Sequence, residues 1–223
     1  MRSWGFQNKC ILFGSERYHC AKMILEKIIE GSLLLQAHDL VLDVLEHGDA
    51  AVDATLGNGH DTLFLARCVG SAGKVFGFDV QQAAVGNTRK RLDDAGVDSG
   101  CYVLFCESHA DMALHISTKV KAVMFNLGYL PGGDKKMITQ AHSTVAALSA
   151  AIDLLSSGGI LTVMCYPGHD GGANEAGLVT DFVNELDEDH WRVTRYSRAE
   201  ARASTPYLWT IHDVSQKNGQ PPE

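Results

Sequence analysis

Apolar positions Met23, Ile24, Ile28 and Ile29 recur at helical spacing and predict a helix from Ala21 to Glu30, broken by Gly31. A second helical stretch covers Ser32 to Glu46 and ends at His47-Gly48, a C-cap pair. Short apolar runs and helical patterns then alternate. Strands are expected at about 50–54, 74–79, Cys101–Cys106 and Ala122–Asn126, with helices at about 60–69, 82–95 and 109–116 between them. A long helix at about 136–156 carries Val145, Leu148, Ala151, Ile152 and Leu155, and Gly158-Gly159 closes it. A strand (Ile160–Tyr166), a helix (about 173–186) and two strands (about 190–196 and 207–213) complete the pattern. Such alternation predicts an α/β fold, a mostly parallel sheet with helices on both faces. The last two strands have no helix between them, so the last is expected to be antiparallel in a seven-stranded sheet.

Length adds that one domain suffices for 223 residues, and a 45% apolar fraction is that of a globular chain. Residues 1–20 carry little period and read as a lead-in to a domain spanning 21–215. The polar tail 216–223, with two prolines, is expected to be disordered. No run of 18 apolar residues predicts a membrane span, and residues 1–20 lack a secretory h-region. The six cysteines form no CxxC pair and the histidines no HExxH, so neither a disulfide frame nor a metal site is expected. Scattered thiols suit a reducing compartment. The cytoplasm is expected, or an organelle stroma or matrix if a transit peptide has been removed. The net charge of −8 argues against a nonspecific nucleic-acid coat, although Arg192, Arg195, Arg198 and Arg202 lie close together near the end.

The chemistry is concentrated where predicted strands end. After the first of the alternating strands comes Asp53-Ala54-Thr55-Leu56-Gly57-Asn58-Gly59-His60-Asp61-Thr62. Glycines at i and i+2 allow close backbone approach, and the following helix start favours oxygen-rich groups. Thr62 stands where a third glycine would complete GxGxxG, so the loop alone also fits an ordinary strand-to-helix turn. Asp79, 20 residues past Gly59 and ending the next strand, is placed to accept from both hydroxyls of a ribose, with Val80 and Gln81 following. Loop and acid together indicate an adenosine-type cofactor. Ser108 and His109 follow the third strand and could meet an adenine, or Ser108 could simply cap a helix. After the fourth comes Asn126-Leu127-Gly128-Tyr129-Leu130-Pro131-Gly132-Gly133-Asp134-Lys135, which resembles the Asn/Asp-Pro-Pro-Tyr loop of amino-directed methyltransferases. His169, in the Tyr166-Pro167-Gly168-His169 turn with Glu175 further on, could orient a nucleotide or accept a proton.

Together these segments resemble the YtqB-like family, long labelled rRNA methylase and now associated with the tRNA wobble-uridine methyltransferases called MnmM. The matching residues are Ala37-His38, Val52 to Thr62, Phe78-Asp79, Ser108-His109, Asn126 to Lys135, and Tyr166 to His169 with Gly171-Gly172. The likeness covers roughly residues 21–213. The segment Thr205-Pro206-Tyr207-Leu208-Trp209 departs from the family's Asn-Pro-Pro type, and residues 1–20 fall outside the likeness. The resemblance implies a Rossmann-like class I methyltransferase fold with S-adenosylmethionine as donor. It implies N-methylation of 5-aminomethyl-(2-thio)uridine at tRNA position 34, with the anticodon arm as partner and a homodimer left open. On the donor side it implies Asp53, Thr55, Gly57, Asn58, Gly59, Asp61, Thr62, Asp79, Val80, Gln81, Ser108, His109, Asn126, Leu127 and Gly128. Asn126, Tyr129 and His169 would serve the transfer. His38, Tyr129, Pro131, Gly132, Lys135, Arg195 and Arg198 would face the RNA.

Three other readings remain open. One is an N-methyltransferase of rRNA, another RNA or a small molecule. A second is a nicotinamide-dependent oxidoreductase, which would share the first loop and acid but would not require Asn126-Leu127-Gly128-Tyr129. The third is a noncatalytic cofactor-binding module.

Overall fold

A computed structural model of the protein describes residues 24–128 and 141–215. In chain order the elements are β1 (Leu25–Ile29), α1 (Leu33–Leu42), β2 (Ala50–Asp53), α2 (His60–Val69), β3 (Lys74–Phe78), α3 (Gln82–Asp94), β4 (Tyr102–Phe105) and α4 (Met112–His115). There follow β5 (Val120–Asn126), α5 (Ala141–Leu154), β6 (Leu155–Cys165), α6 (Gly172–Glu185), β7 (Trp191–Arg198) and β8 (Tyr207–Asp213). Single 3₁₀ turns precede β4 and α4. The described residues form one eight-stranded sheet in the order β1-β7-β8-β6-β5-β2-β3-β4. Every neighbouring pair is parallel except β6–β8 and β7–β8, so β8 is the reversed strand.

Alternation along the strands divides the core into two layers. On β5, Val123 and Phe125 join Phe78, Leu148, Leu161 and Val179 under α5 and α6. The intervening Ala122 and Met124 join Val41, Leu65, Leu92 and Ile160 under α1, α2 and α3. Because helices cover both faces, the central strands read as nearly continuous apolar runs.

The sheet differs from expectation at its first strand. Instead of a helix from Ala21 to Glu30, residues Leu25–Ile29 are an extended edge strand parallel to β7, with Leu25 opposite Thr194 and Ile29 opposite Arg198. Eight strands therefore replace the expected seven. The ladder to β7 satisfies backbone groups that a short helix ending at Gly31 would have to satisfy alone, with a costly nucleus. Glu26 lies 3.6 Å from Arg195, and the Lys27 ammonium lies 5.4 Å from the centre of the Tyr196 ring. Two boundaries also move. Ser32 caps α1 by accepting from the Leu35 N–H, but that helix ends at Leu42 rather than Glu46. At the other end, α5 stops at Leu154, and Leu155 already pairs with Val120 in β6. Gly158-Gly159 thus lie in an irregular segment of that strand, where the register jumps before Ala122 meets Ile160.

Candidate active site

The strand ends that carry the chemistry lie along one edge of the sheet, and hydrogen bonds tie them together. Asp53 ends β2 with no exposed surface. It accepts from the Thr62 hydroxyl at 2.5 Å and from the Thr55 N–H at 3.1 Å. Burial, followed by the nearby carboxylate of Asp61, pushes its carboxyl up to about 7 against the opposing effect of those two hydrogen bonds. Thr55 in turn accepts from the Asn126 N–H at 2.8 Å, which joins the loop after β2 to the end of β5.

The glycine loop is held by Asp79, one residue past β3. One Asp79 oxygen accepts from the Gly57 N–H at 3.0 Å and the other from the Gln81 N–H at 2.9 Å. A carboxylate offers about four acceptor positions, so this anchoring leaves capacity for a pair of hydroxyls. Gly57 and Gly59 have φ of +51° and +75°, the left-handed region. A Cβ at Gly59 would meet the Thr88 Cα at 2.8 Å, so only glycine lets α2 begin this close to α3. Asn58 is turned toward α3, where its side-chain oxygen accepts from Asn87 at 3.1 Å and its carbonyl from Arg91 at 2.6 Å. Asp61, in the first turn of α2, lies 2.7 Å from the Nε2 of His38 on α1.

Past Asp79, Val80 is 57% exposed, and its carbonyl lies 3.7 Å from the Cys106 sulfur, an exposed thiol after β4. Ser108 caps the following 3₁₀ turn by accepting from the Ala110 N–H. His109 is buried and edge-on to Phe125, and its Nδ1–H donates to the Ala54 carbonyl at 3.1 Å. Burial holds its pKa below the usual imidazole value, so the ring is neutral and supports the loop after β2 from beneath.

At the end of β5, Asn126 is half-buried, whereas the Leu127 side chain points into the core and its N–H donates to the Met164 carbonyl. Leu127 can therefore offer the site only its backbone. Gly128 faces the turn after β6, since a Cβ there would lie 3.7 Å from His169 Nε2 and 3.9 Å from Tyr166. His169 donates Nδ1–H to the Asp170 carbonyl at 2.8 Å. Burial, followed by the carboxylate of Asp61, raises the Tyr166 pKa. The expected positions Tyr129, Pro131, Gly132 and Lys135 lie outside the described residues.

The arginines expected to face RNA separate. Arg198 is exposed at the carboxyl end of β7, on the site's edge of the sheet. Arg195 instead stacks over Tyr207, its guanidinium 4.2 Å from the ring centre, and lies 3.6 Å from the Glu26 carboxylate. One buried polar pair escaped the sequence reading. Thr144 on α5 donates at 2.6 Å to Glu175 in the first turn of α6, with both side chains buried. Its only trace is an acid at the start of a helical pattern, which reads equally well as a solvated first turn.

A doubly wound parallel sheet with a single reversed strand, and loops converging where β2 and β5 adjoin, defines the Rossmann-like class I methyltransferase fold. The family described as "Putative rRNA methylase" matches residues 75–212, and the chain belongs to that family. A relative from Arabidopsis thaliana named tRNA (mnm(5)s(2)U34)-methyltransferase, chloroplastic, is 38% identical over 164 residues, which are 70% of this chain. The chain spans 60% of that relative's length. Among solved structures, an rRNA-methylase of the same description from Clostridium thermocellum is 41% identical, with a TM-score of 0.80 over 84% of this chain and all of that one. A Streptococcus mutans methyltransferase in complex with SAH is 33% identical, with a TM-score of 0.75 over 83% of this chain and all of the other.

Proposed function

We propose that the protein is an S-adenosylmethionine-dependent methyltransferase that N-methylates the 5-aminomethyl group of (2-thio)uridine at position 34 of tRNA. The observation that carries the reading is the hydrogen-bonded seam along the sheet edge. Gly57 is tied to Asp79, and Asn126 to Thr55, so donor loop and acceptor strand form one frame. Family membership supports it, as do the substrate in the Arabidopsis relative's name and the SAH in the Streptococcus complex.

The residues fit the donor. Asp79 retains acceptor capacity for two ribose hydroxyls, and exposed Val80 offers an apolar edge to adenine, with Ser108 beyond it. The N-terminus of α2, which begins at His60, suits a carboxylate, and buried Asp53, bonded to Thr62 in that first turn, suits a cationic centre. Bound there, S-adenosylmethionine supplies a methyl group already activated by its sulfonium. What remains for the chain is to bring a neutral amine into line. The Asn126 side-chain oxygen and the Gly128 carbonyl accept its N–H groups and turn the lone pair toward the methyl carbon. With its Nδ1–H given to Asp170, His169 holds Nε2 on the Gly128 side, where it would take up the amine's proton. Tyr129, Pro131, Gly132 and Lys135 belong to the RNA side of this reading, with Arg198 at the rim holding phosphate near the anticodon arm. The chloroplastic location in the relative's name supports an organelle as the compartment.

The test is transfer of tritiated methyl from S-adenosylmethionine to tRNA carrying 5-aminomethyl-2-thiouridine, followed by nucleoside mass spectrometry. The expected product is the methylaminomethyl nucleoside. Tight binding of NAD without binding of the methyl donor would overturn the reading.

A further inference from the structure

The outer faces of α1 and α2 enclose an open cleft of about 730 Å³ that the donor frame does not use. At its head, His38 and Phe64 are stacked face to face, with ring centres 3.9 Å apart and planes within 4°. Leu42, 54% exposed, extends the apolar wall. Arg67 and His60 line it as well, and Arg91 stands behind His60 with its guanidinium 3.1 Å from the imidazole Nε2. One acid, Glu46, is in the lining. For a chain of net charge −8, guanidinium groups beside an aromatic stack and an exposed leucine are the chemistry of a flat, apolar ligand carrying negative charge. The cleft also runs into the candidate active site, because His38 lies 2.7 Å from Asp61 in the first turn of α2.

We propose that this cleft binds an unpaired nucleotide of the RNA substrate close to the one being methylated. The base lies along the His38–Phe64 stack and Leu42, and the phosphate lies toward Arg67 and His60. This rests on the reading of the protein as an RNA methyltransferase and adds to it a second nucleotide site, which takes the base by its π-face rather than by its hydrogen-bonding edge. Such a site tolerates different bases and holds a neighbouring nucleotide splayed, so that the target amine reaches the edge of the sheet. The continuity through His38 and Asp61 explains why a stacking site on the outside of two helices would matter for transfer at the inner edge.

The experiment uses the full chain and an anticodon stem-loop in which 2-aminopurine replaces each loop nucleotide in turn. Two variants are compared with the wild type, Phe64→Leu, which keeps apolar volume but removes the ring, and Arg67→Glu. Thermal melting confirms that both fold, and calorimetry with S-adenosylhomocysteine reports the donor site separately. The expected result is strong fluorescence quenching at one loop position in the wild type, relieved in Phe64→Leu. Stem-loop affinity should fall about tenfold in each variant with donor affinity unchanged, and the salt dependence should weaken in Arg67→Glu. Wild-type RNA that binds equally well to both folded variants overturns the cleft site while leaving the methyltransferase reading intact. A wild type that binds donor but no RNA overturns both. Concentration-dependent dimerisation lost in Leu42→Glu, with RNA binding kept, would assign the cleft to a second copy of the chain.

Discussion

The buried carboxyl of Asp53 gives a prediction that can be worked through in numbers. Its pKa is pushed from 3.8 to about 7 by burial and by Asp61. An acid whose folded pKa lies above its unfolded value makes the folded state hold the proton more tightly. Its contribution to stability is present at low pH and is lost as pH rises from the unfolded pKa to the folded one. At about 1.4 kcal/mol per unit, a shift of this size sets a ceiling of roughly 4 kcal/mol, of which roughly 2–3 kcal/mol is lost between pH 5 and 8. Asp53→Asn keeps the shape and still accepts from the Thr55 N–H, but it cannot ionise. Urea unfolding of both proteins at pH 5, 6, 7 and 8 reads the effect of Asp53 together with its coupling to Asp61. The stability difference should swing toward the variant by roughly 2–3 kcal/mol over that range. Calorimetry adds a second reading. A cationic donor above Asp53 favours the ionised form, so wild-type donor affinity should rise with pH through about 7, whereas the variant's should be flat and lower. Unfolding curves that stay parallel from pH 5 to 8 would show that Asp53 does not titrate in this window, and the account of a desolvated carboxyl under the donor loop would fall with it.

Replacing Asp79 by Ala should weaken donor binding by about 1–3 kcal/mol, since it removes acceptors for the ribose and releases the Gly57 and Gln81 amides; unchanged calorimetric affinity would refute the ribose assignment. Asn126→Ala should leave donor affinity intact while lowering methyl transfer by roughly 100-fold, because the loss falls on orientation of the amine; a wild-type rate would end its amine-holding role. Arg198→Glu should weaken RNA binding and flatten its salt dependence. The same reversal at Arg195 should instead lower the melting temperature, because that guanidinium packs on Tyr207 beside Glu26.

What the sequence disclosed followed from where its signals lie. The central strands, buried on both faces, read as uninterrupted apolar runs, and strands such as Val120–Asn126 were placed within a residue or two. The stretch before Gly31 misled because the helical spacing of Met23, Ile24, Ile28 and Ile29 also fits a short apolar edge strand. The deciding contact, the ladder to β7, is more than 160 residues away in sequence. Gly158-Gly159 likewise looked like a helix stop, while the structure uses the pair to absorb a register jump inside β6. At the candidate site, residue types pointed to strand ends along one edge of the sheet, but their partners were not legible. That Asp79 would hold Gly57, that Thr55 would hold Asn126, and that Asn58 would turn toward Asn87 depend on loops meeting across 22 to 71 positions of chain. The same holds for Arg195, which composition counted with its neighbours as a basic patch and which packing claims for Tyr207.

The strand Leu25–Ile29 has a practical meaning for anyone trimming this protein to its family core. The family match begins at residue 75, and a chain started at Gly31 would keep every loop around the glycine turn. It would also strip the partner from one whole side of β7, leaving a row of main-chain donors and acceptors to find new company, most readily another strand. Such a shortened protein should bind donor yet clump, and loss of the five strand residues Leu25–Ile29, remote from any chemistry, would be the reason.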